Sequence, residues 1–265
     1  LAAYELAIGQ GADWIELDCS LTADGEVVCI HDADVGRTTN GSGKVRDLTL
    51  AQVKALEVRG DDGHAGERVP TLGEALDLAN GRVGVYIEIK ANLQDDANLE
   101  RFLFERARER VTPPVDFRRR CLQLIERDGT IHLQLTREVI EIVRERGMAR
   151  DVVIQSFSPI VCAAALAEAP SIRTEFLCGA RLDEPGKWAE ALVWARALNP
   201  CGINLSRRGF DAGRLAQIHR MGMTTAVWTV NDPAEMAGLA ALGVDGIITD
   251  YPDVCVQSLR TADGG

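Results

Sequence analysis

The sequence predicts an α/β fold, and within that class a (β/α)8 TIM barrel, on three observations. From Thr136 to the C-terminus, short apolar runs alternate with amphipathic segments, the pattern of parallel βα units. Polar residues recur where those runs end, and a barrel gathers its functional groups at the ends of its strands. No linker interrupts the 265 residues, so residues 1–265 read as a single domain. An open doubly wound sheet is the alternative.

Leu1, Tyr4, Ala7 and Ile8 have helical spacing and place a helix over Leu1 to Gln10, closed by Gly11. A strand follows over Asp13 to Asp18. Thr22-Ala23-Asp24-Gly25 is a turn signal, and Val27-Val28-Cys29-Ile30 forms a second strand running to His31. Arg37 to Gly43 is a glycine-rich polar loop without phosphate-loop spacing. Thr49 to Leu56 and Thr71 to Leu78 read as short helices, each with Thr at the N-cap and Gln52 or Glu74 three residues on.

The apolar run from Val83 to Ile87 is the next strand, ending at Glu88. Asn92 to Ile131 is charged with both signs and carries Pro113-Pro114, which predicts one helix plus an irregular surface excursion. Helices are then predicted over Thr136 to Arg146, Ile160 to Glu168, Trp188 to Ala197, Asp211 to Met221 and Pro233 to Leu242, with a closing helix from Pro252 to Leu259. Strands alternate with them over Asp151 to Phe157, Ile172 to Leu177, Gly202 to Leu205, Thr224 to Val230 and Gly246 to Thr249. The major strands come to one fewer than a barrel needs, and an eighth strand is expected to be missing before the opening helix.

Composition narrows the function. The 29 Lys and Arg stand against 40 Asp and Glu, a net charge of −11 that disfavours nucleic acid as a partner. That field also repels phosphate esters, so such a substrate would need local positive charge. No apolar run approaches the ~18 residues of a membrane span. The seven cysteines form no Cys-x-x-Cys pair and argue against zinc or a disulfide framework; buried thiols in a reducing, cytoplasmic compartment fit them.

Chemistry concentrates in the first third. Residues two apart on a strand share a face, so Glu16 and Asp18 project together while Leu17 packs the other way. Two converging carboxylates repel, and a hard divalent cation relieves that repulsion. Glu88 becomes a third oxygen donor if its strand neighbours the first. His31 would then handle protons beside the metal, and Lys90 would neutralise an anionic group on the substrate.

The order and content of these motifs resemble the glycerophosphodiester phosphodiesterases. The likeness rests on Gly11 to Asp18, Leu21 to Gly25, Val28 to Asp32, Arg37 to Gly43, Pro70-Thr71-Leu72, Ile87 to Lys90, Gln155-Ser156-Phe157, Val227 to Asn231 and Gly243 to Pro252. It implies a (β/α)8 barrel with a small insertion over about Ala33 to Val69. It implies hydrolysis of a small-molecule glycerophosphodiester to glycerol 3-phosphate and an alcohol, with calcium or magnesium as cofactor. By position, Glu16, Asp18 and Glu88 match the metal ligands, His31 one of two catalytic histidines, Lys90 the phosphate-contacting lysine and Trp228 an aromatic of the pocket.

Several assignments keep alternatives. Arg37 is a further candidate for the phosphate, with Asp32 or Asp34 as other partners. Trp228 could simply fill the barrel, and Asp245 and Asp250 could cap turns. The family's His-Arg-Gly strand motif and its Pro-Glu-Asn-Thr segment are absent, so the chain resembles a fragment cut inside the first βα unit and is expected to be nearly inactive alone. His64 and His132 read as polar-loop residues and His219 as a surface helix residue. The competing functions are a noncatalytic metal- and phosphate-binding barrel, and a lysophospholipase D-type activity, for which an apolar groove is needed.

Overall fold

The computed structural model describes residues 1–59, 66–91, 96–109 and 113–262. An opening helix, α1 (Ala2–Gly9), leads into the long strand β1 (Trp14–Leu21), which turns at Thr22 to Gly25 and pairs antiparallel with β2 (Val27–Cys29). The turn holds because Thr22 Oγ1 accepts from Glu26 N at 2.9 Å, and Gly25 supplies φ of 86°.

Two short helices, α2 (Leu50–Ala55) and α3 (Leu72–Ala79), follow. Both begin with the reciprocal capping expected of Thr with Gln or Glu at N3: Thr49 with Gln52, and Thr71 with Glu74. Val28, Ile30, Val35, Val45, Val53 and Val69 form a small apolar cluster of their own beneath this region.

After β3 (Gly84–Ile89), the charged stretch departs from expectation. Within it the chain forms two ordinary helices, α4 (Ala97–Arg108) and α5 (Pro114–Asp128), where one helix and an irregular excursion are predicted. The reason is patterning: Leu99, Leu103, Phe117, Cys121 and Ile125 form buried stripes under an otherwise charged surface. The next helix, α6 (Ile131–Glu145), starts before the predicted Thr136, because Thr130 caps it by accepting from Leu133 N at 3.2 Å. His132 is consequently a buried helical residue rather than part of a polar loop, while His64 lies outside the described residues.

The remainder alternates as predicted: β4 (Val152–Ser156), α7 (Pro159–Glu168), β5 (Arg173–Cys178), α8 (Lys187–Leu198), β6 (Gly202–Ser206), α9 (Ala212–Arg220), β7 (Ala226–Trp228), α10 (Pro233–Leu242), β8 (Gly246–Ile247) and α11 (Pro252–Ala262). The strands form one sheet in the order β2-β1-β3-β4-β5-β6-β7-β8, parallel except for β2. Its eighth member is thus the antiparallel hairpin strand. Among the described residues no pairing joins β8 to β1.

Alternation assigns the two faces of the sheet. Ile15, Leu17, Val85, Ile87, Val152 and Ile154 pack outward against Leu76, Val139, Ile140 and Val161 of the helices. The other face carries Glu16, Asp18, Glu88, Gln155, Glu175 and Asn204, and hydrogen bonds among them span strands that are not neighbours. Gln155 on β4 donates to Glu16 on β1, and Asn204 on β6 donates to Gln155. A flat sheet could not bring such residues together, so the sheet curls into a barrel-like form with a polar interior.

Candidate active site

The site is built by register. β1 and β3 run parallel with Asp18 opposite Glu88, so the two carboxylates emerge side by side. Glu16 lies two residues earlier on the same face, and carboxylate oxygens of all three acids come within 4.8 Å of one another. Lys90, two residues beyond Glu88, reaches both partners: its Nζ is 2.8 Å from Asp18 Oδ1 and 2.7 Å from Glu88 Oε1.

One ammonium among three carboxylates leaves the site with excess negative charge. Burial first, and then repulsion from Asp18 and Glu88, pushes Glu16 up to about 8. Burial also raises Glu88, against the pull of Lys90. For Lys90, burial opposes the charged form, yet Asp18 and Glu88 outweigh it and hold the amine above its ordinary value. An all-oxygen donor set that is short of positive charge and pre-positioned by two strands fits a hard divalent cation.

Below the acids, a polar chain crosses the interior. Gln155 Nε2 donates to Glu16 Oε1 at 3.0 Å, and Asn204 Nδ2 donates to Gln155 Oε1 at 3.1 Å and to Glu175 Oε2 at 2.8 Å. Ala226 N donates to Asn204 Oδ1 at 2.8 Å. Glu175 fits because Gly202 stands opposite it: a Cβ there would lie 2.7 Å from Thr224 Oγ1 and 3.0 Å from the Glu175 carboxyl carbon. Sequence reasoning assigned no role to Gln155, Asn204 or Glu175. The available signal was a polar residue inside each of three apolar strands.

His31 follows β2 with its side chain 62% exposed, and Nδ1 is 2.7 Å from Asp32 Oδ1. The same carboxylate takes Arg37, whose Nε donates to Asp32 Oδ2 and whose Nη2 donates to Oδ1 at 3.0 Å. Arg37, foremost, and His31 hold the Asp32 carboxyl far below the usual range. The structure thus places Arg37 on Asp32, one of the two acids the sequence offers it.

Trp228 ends β7, edge-on to Phe157 with ring centroids 5.5 Å apart, and its indole N–H has no hydrogen-bond partner among the described residues. His219 and Asp245 pair with each other at 2.9 Å, and Asp245 also accepts from Thr225 N. Asp250 accepts from Asn231 at 2.7 Å. Buried His132 pairs through Nδ1 with Asp96 and lines one cavity with His31 and Lys90. No helix among the described residues is long and apolar enough to cross a membrane.

Comparison with known proteins identifies the family. The family model described as "Glycerophosphoryl diester phosphodiesterase family" matches residues 1–125 and 122–254. A glycerophosphodiester phosphodiesterase of Caldanaerobacter subterraneus subsp. tengcongensis is 30% identical over 264 residues, covering 98% of this chain and 91% of that protein. Among solved structures, the Agrobacterium tumefaciens glycerophosphodiester phosphodiesterase is 27% identical with a TM-score of 0.67, covering 97% of this chain and 91% of the other. An Oleispira antarctica phosphodiesterase, solved with its product sn-glycerol-3-phosphate, shares the fold at 22% identity and a TM-score of 0.74, covering 98% and 90% of the two chains.

Proposed function

This chain belongs to the glycerophosphoryl diester phosphodiesterase family, and from that premise we propose that it hydrolyses glycerophosphodiesters to glycerol 3-phosphate and an alcohol. The observation that carries the reading is the convergence of Glu16, Asp18 and Glu88 within 4.8 Å, bridged in part by Lys90. Glu16, Asp18 and Glu88 would hold a divalent cation, calcium or magnesium. When bound, the cation supplies electrostatic stabilisation of charge that builds on a phosphoryl group.

The protein's own residues account for the remaining tasks. Lys90, whose ammonium lies on Asp18 and Glu88, is placed at the same point, where it would pair with a substrate phosphate and add positive charge where the transition state accumulates negative charge. His31, oriented through Nδ1 by Asp32, carries a proton at Nε2 to or from the reacting oxygens. Arg37 fixes Asp32 and so acts on His31 at one remove. Trp228 and Phe157 form an apolar wall for the glycerol carbons.

Two proton transfers need two groups, and of the two imidazoles lining the cavity with Lys90 only His31 is exposed while His132 is buried on Asp96, so slow turnover belongs to the proposal. Seven unpaired thiols support a reducing, cytoplasmic setting. The test is release of glycerol 3-phosphate from glycerophosphocholine by the full chain, with calcium or magnesium present and after chelation. Cation-dependent release is expected, and absence of release under every condition would overturn the reading.

A further inference from the structure

A cavity of about 430 Å3 opens beside Lys90, between the residues that follow β2 and the start of α6. Among the described residues five titratable side chains line it, and all are bases: His31, Lys44, Arg46, Lys90 and His132. Among the described residues no carboxylate lines it, although acids outnumber bases in the chain by 40 to 29.

Three of the five already have acidic partners. Lys90 pairs with Asp18 and Glu88, His31 with Asp32, and His132 with Asp96. Lys44 and Arg46 differ: neither forms an ion pair with any described residue. Asp34, which lies across a backbone bridge from Lys44, directs its carboxylate to Gly36 N at 2.8 Å instead.

Their position is built into the fold. Val45 stands between them, 2% exposed in the small apolar cluster, and its N–H donates to Ala33 O at 2.9 Å. Val35 N donates to Gly43 O at 2.9 Å, so the segment carrying both cations is tied down on each side. Two cations without an ion pair among the described residues, on a partly apolar wall, raise the local concentration of anions and repel cations. The Arg46 guanidinium also matches the planar two-oxygen face of a phosphate or carboxylate.

We infer that this cavity is the alcohol-side subsite of the phosphodiesterase proposed above, and that it selects an alcohol carrying a second negative charge, held by Lys44 and Arg46. The inference rests on that functional reading. A choline headgroup would meet two like charges there, and a glycerol headgroup none of opposite sign. The subsite thus ranks substrates by headgroup charge, with anionic alcohols first.

The experiment compares kcat/KM for glycerophosphoglycerol, for the same diester bearing a terminal phosphate, and for glycerophosphoserine, at low salt with divalent cation present. Terminal phosphate is expected to raise kcat/KM over the neutral diester roughly tenfold, about what two partly solvated charge pairs supply together. Glycerophosphoserine, whose ammonium offsets its carboxylate, should stay near the neutral diester, and a tenfold gain for it would overturn ranking by headgroup charge. In the Lys44→Gln, Arg46→Gln double variant the ratio should fall to about one, and in Lys44→Glu, Arg46→Glu below one. Using a ratio within each protein cancels any loss of folded enzyme.

A wild-type ratio at or below one, or a ratio that persists in the glutamine double variant, overturns the inference. If no diester is hydrolysed, the phosphodiesterase reading fails on its own account. Calorimetric binding of the neutral and the phosphorylated diester then reads the subsite directly, with the same roughly tenfold preference expected and its absence overturning the subsite.

Discussion

Gln155 donates from Nε2 to Oε1 of Glu16 across 3.0 Å, although β3 lies between the strands that carry them. The bond spans the interior of the curled sheet and anchors one of the three acids. Gln155→Leu should therefore loosen Glu16, the one of the three acids to which it donates, and weaken divalent-cation binding about tenfold, as loss of a partner to a ligand does. Calorimetry with calcium and with magnesium checks this; an unchanged Kd would show that Gln155 only fills space.

Glu88 faces Asp18 by strand register and also receives Lys90. Glu88→Gln keeps the volume but removes one of three charges, and activity attributable to added cation should fall by about a hundredfold or more, mostly in kcat. Rates measured against cation concentration decide the point. A variant that responds to cation as the wild type does removes Glu88 from the site.

Glu16 has a pKa of about 8 in the folded protein against an ordinary 4.5. Between those values the folded state keeps a proton that the unfolded chain releases. Without cation, this group's contribution to stability is therefore full below about pH 4.5 and is lost as pH rises through about 8. Cation binding needs the carboxylate, so affinity should rise with pH until about 8 and then level. Thermal unfolding in chelator across this range, with Glu16→Gln as the control lacking both trends, provides the measurement.

His31 and Asp32 pair at the exposed rim, where the proposed function assigns His31 the proton transfer. His31→Ala should lower kcat by about 10² to 10⁴ with little change in KM, because proton transfer rather than binding is removed. Asp32→Asn should cost less and shift the pH–rate profile, since it frees both His31 and Arg37. Steady-state kinetics across pH separates the two effects, and an active His31→Ala variant would discard the residue.

Asn204 is fully buried and bonds Gln155, Glu175 and Ala226 N. Asn204→Leu removes a buried hydrogen bond from each of these partners and leaves Ala226 N without its acceptor, which should destabilise the protein by about 2–4 kcal/mol. Urea unfolding measures it. A change below about 0.5 kcal/mol would mean that the interior chain contributes nothing to the fold.

Much of this was legible along the chain. Period-two alternation in Trp14 to Leu21 put Glu16 and Asp18 on one face, and the Thr49 and Thr71 capping boxes announced α2 and α3. The charged stretch after β3 was misread because charge conceals a helix whose apolar stripe is narrow, as in α4 and α5. His132 looked like a loop residue because its burial depends on Asp96, far away in sequence, arriving to pair with it.

Local sequence alone determined which face each strand residue takes, where helices start, and which side chains could hold a cation, since these follow from backbone period and side-chain chemistry. Only the tertiary structure decided that Glu88 stands beside Asp18, that Arg37 goes to Asp32, and that Lys44 and Arg46 share a wall with Lys90. Those outcomes depend on strand register and on competition among charges for nearby partners. Both are set by distances between residues remote in the chain, and linear order does not encode such distances residue by residue.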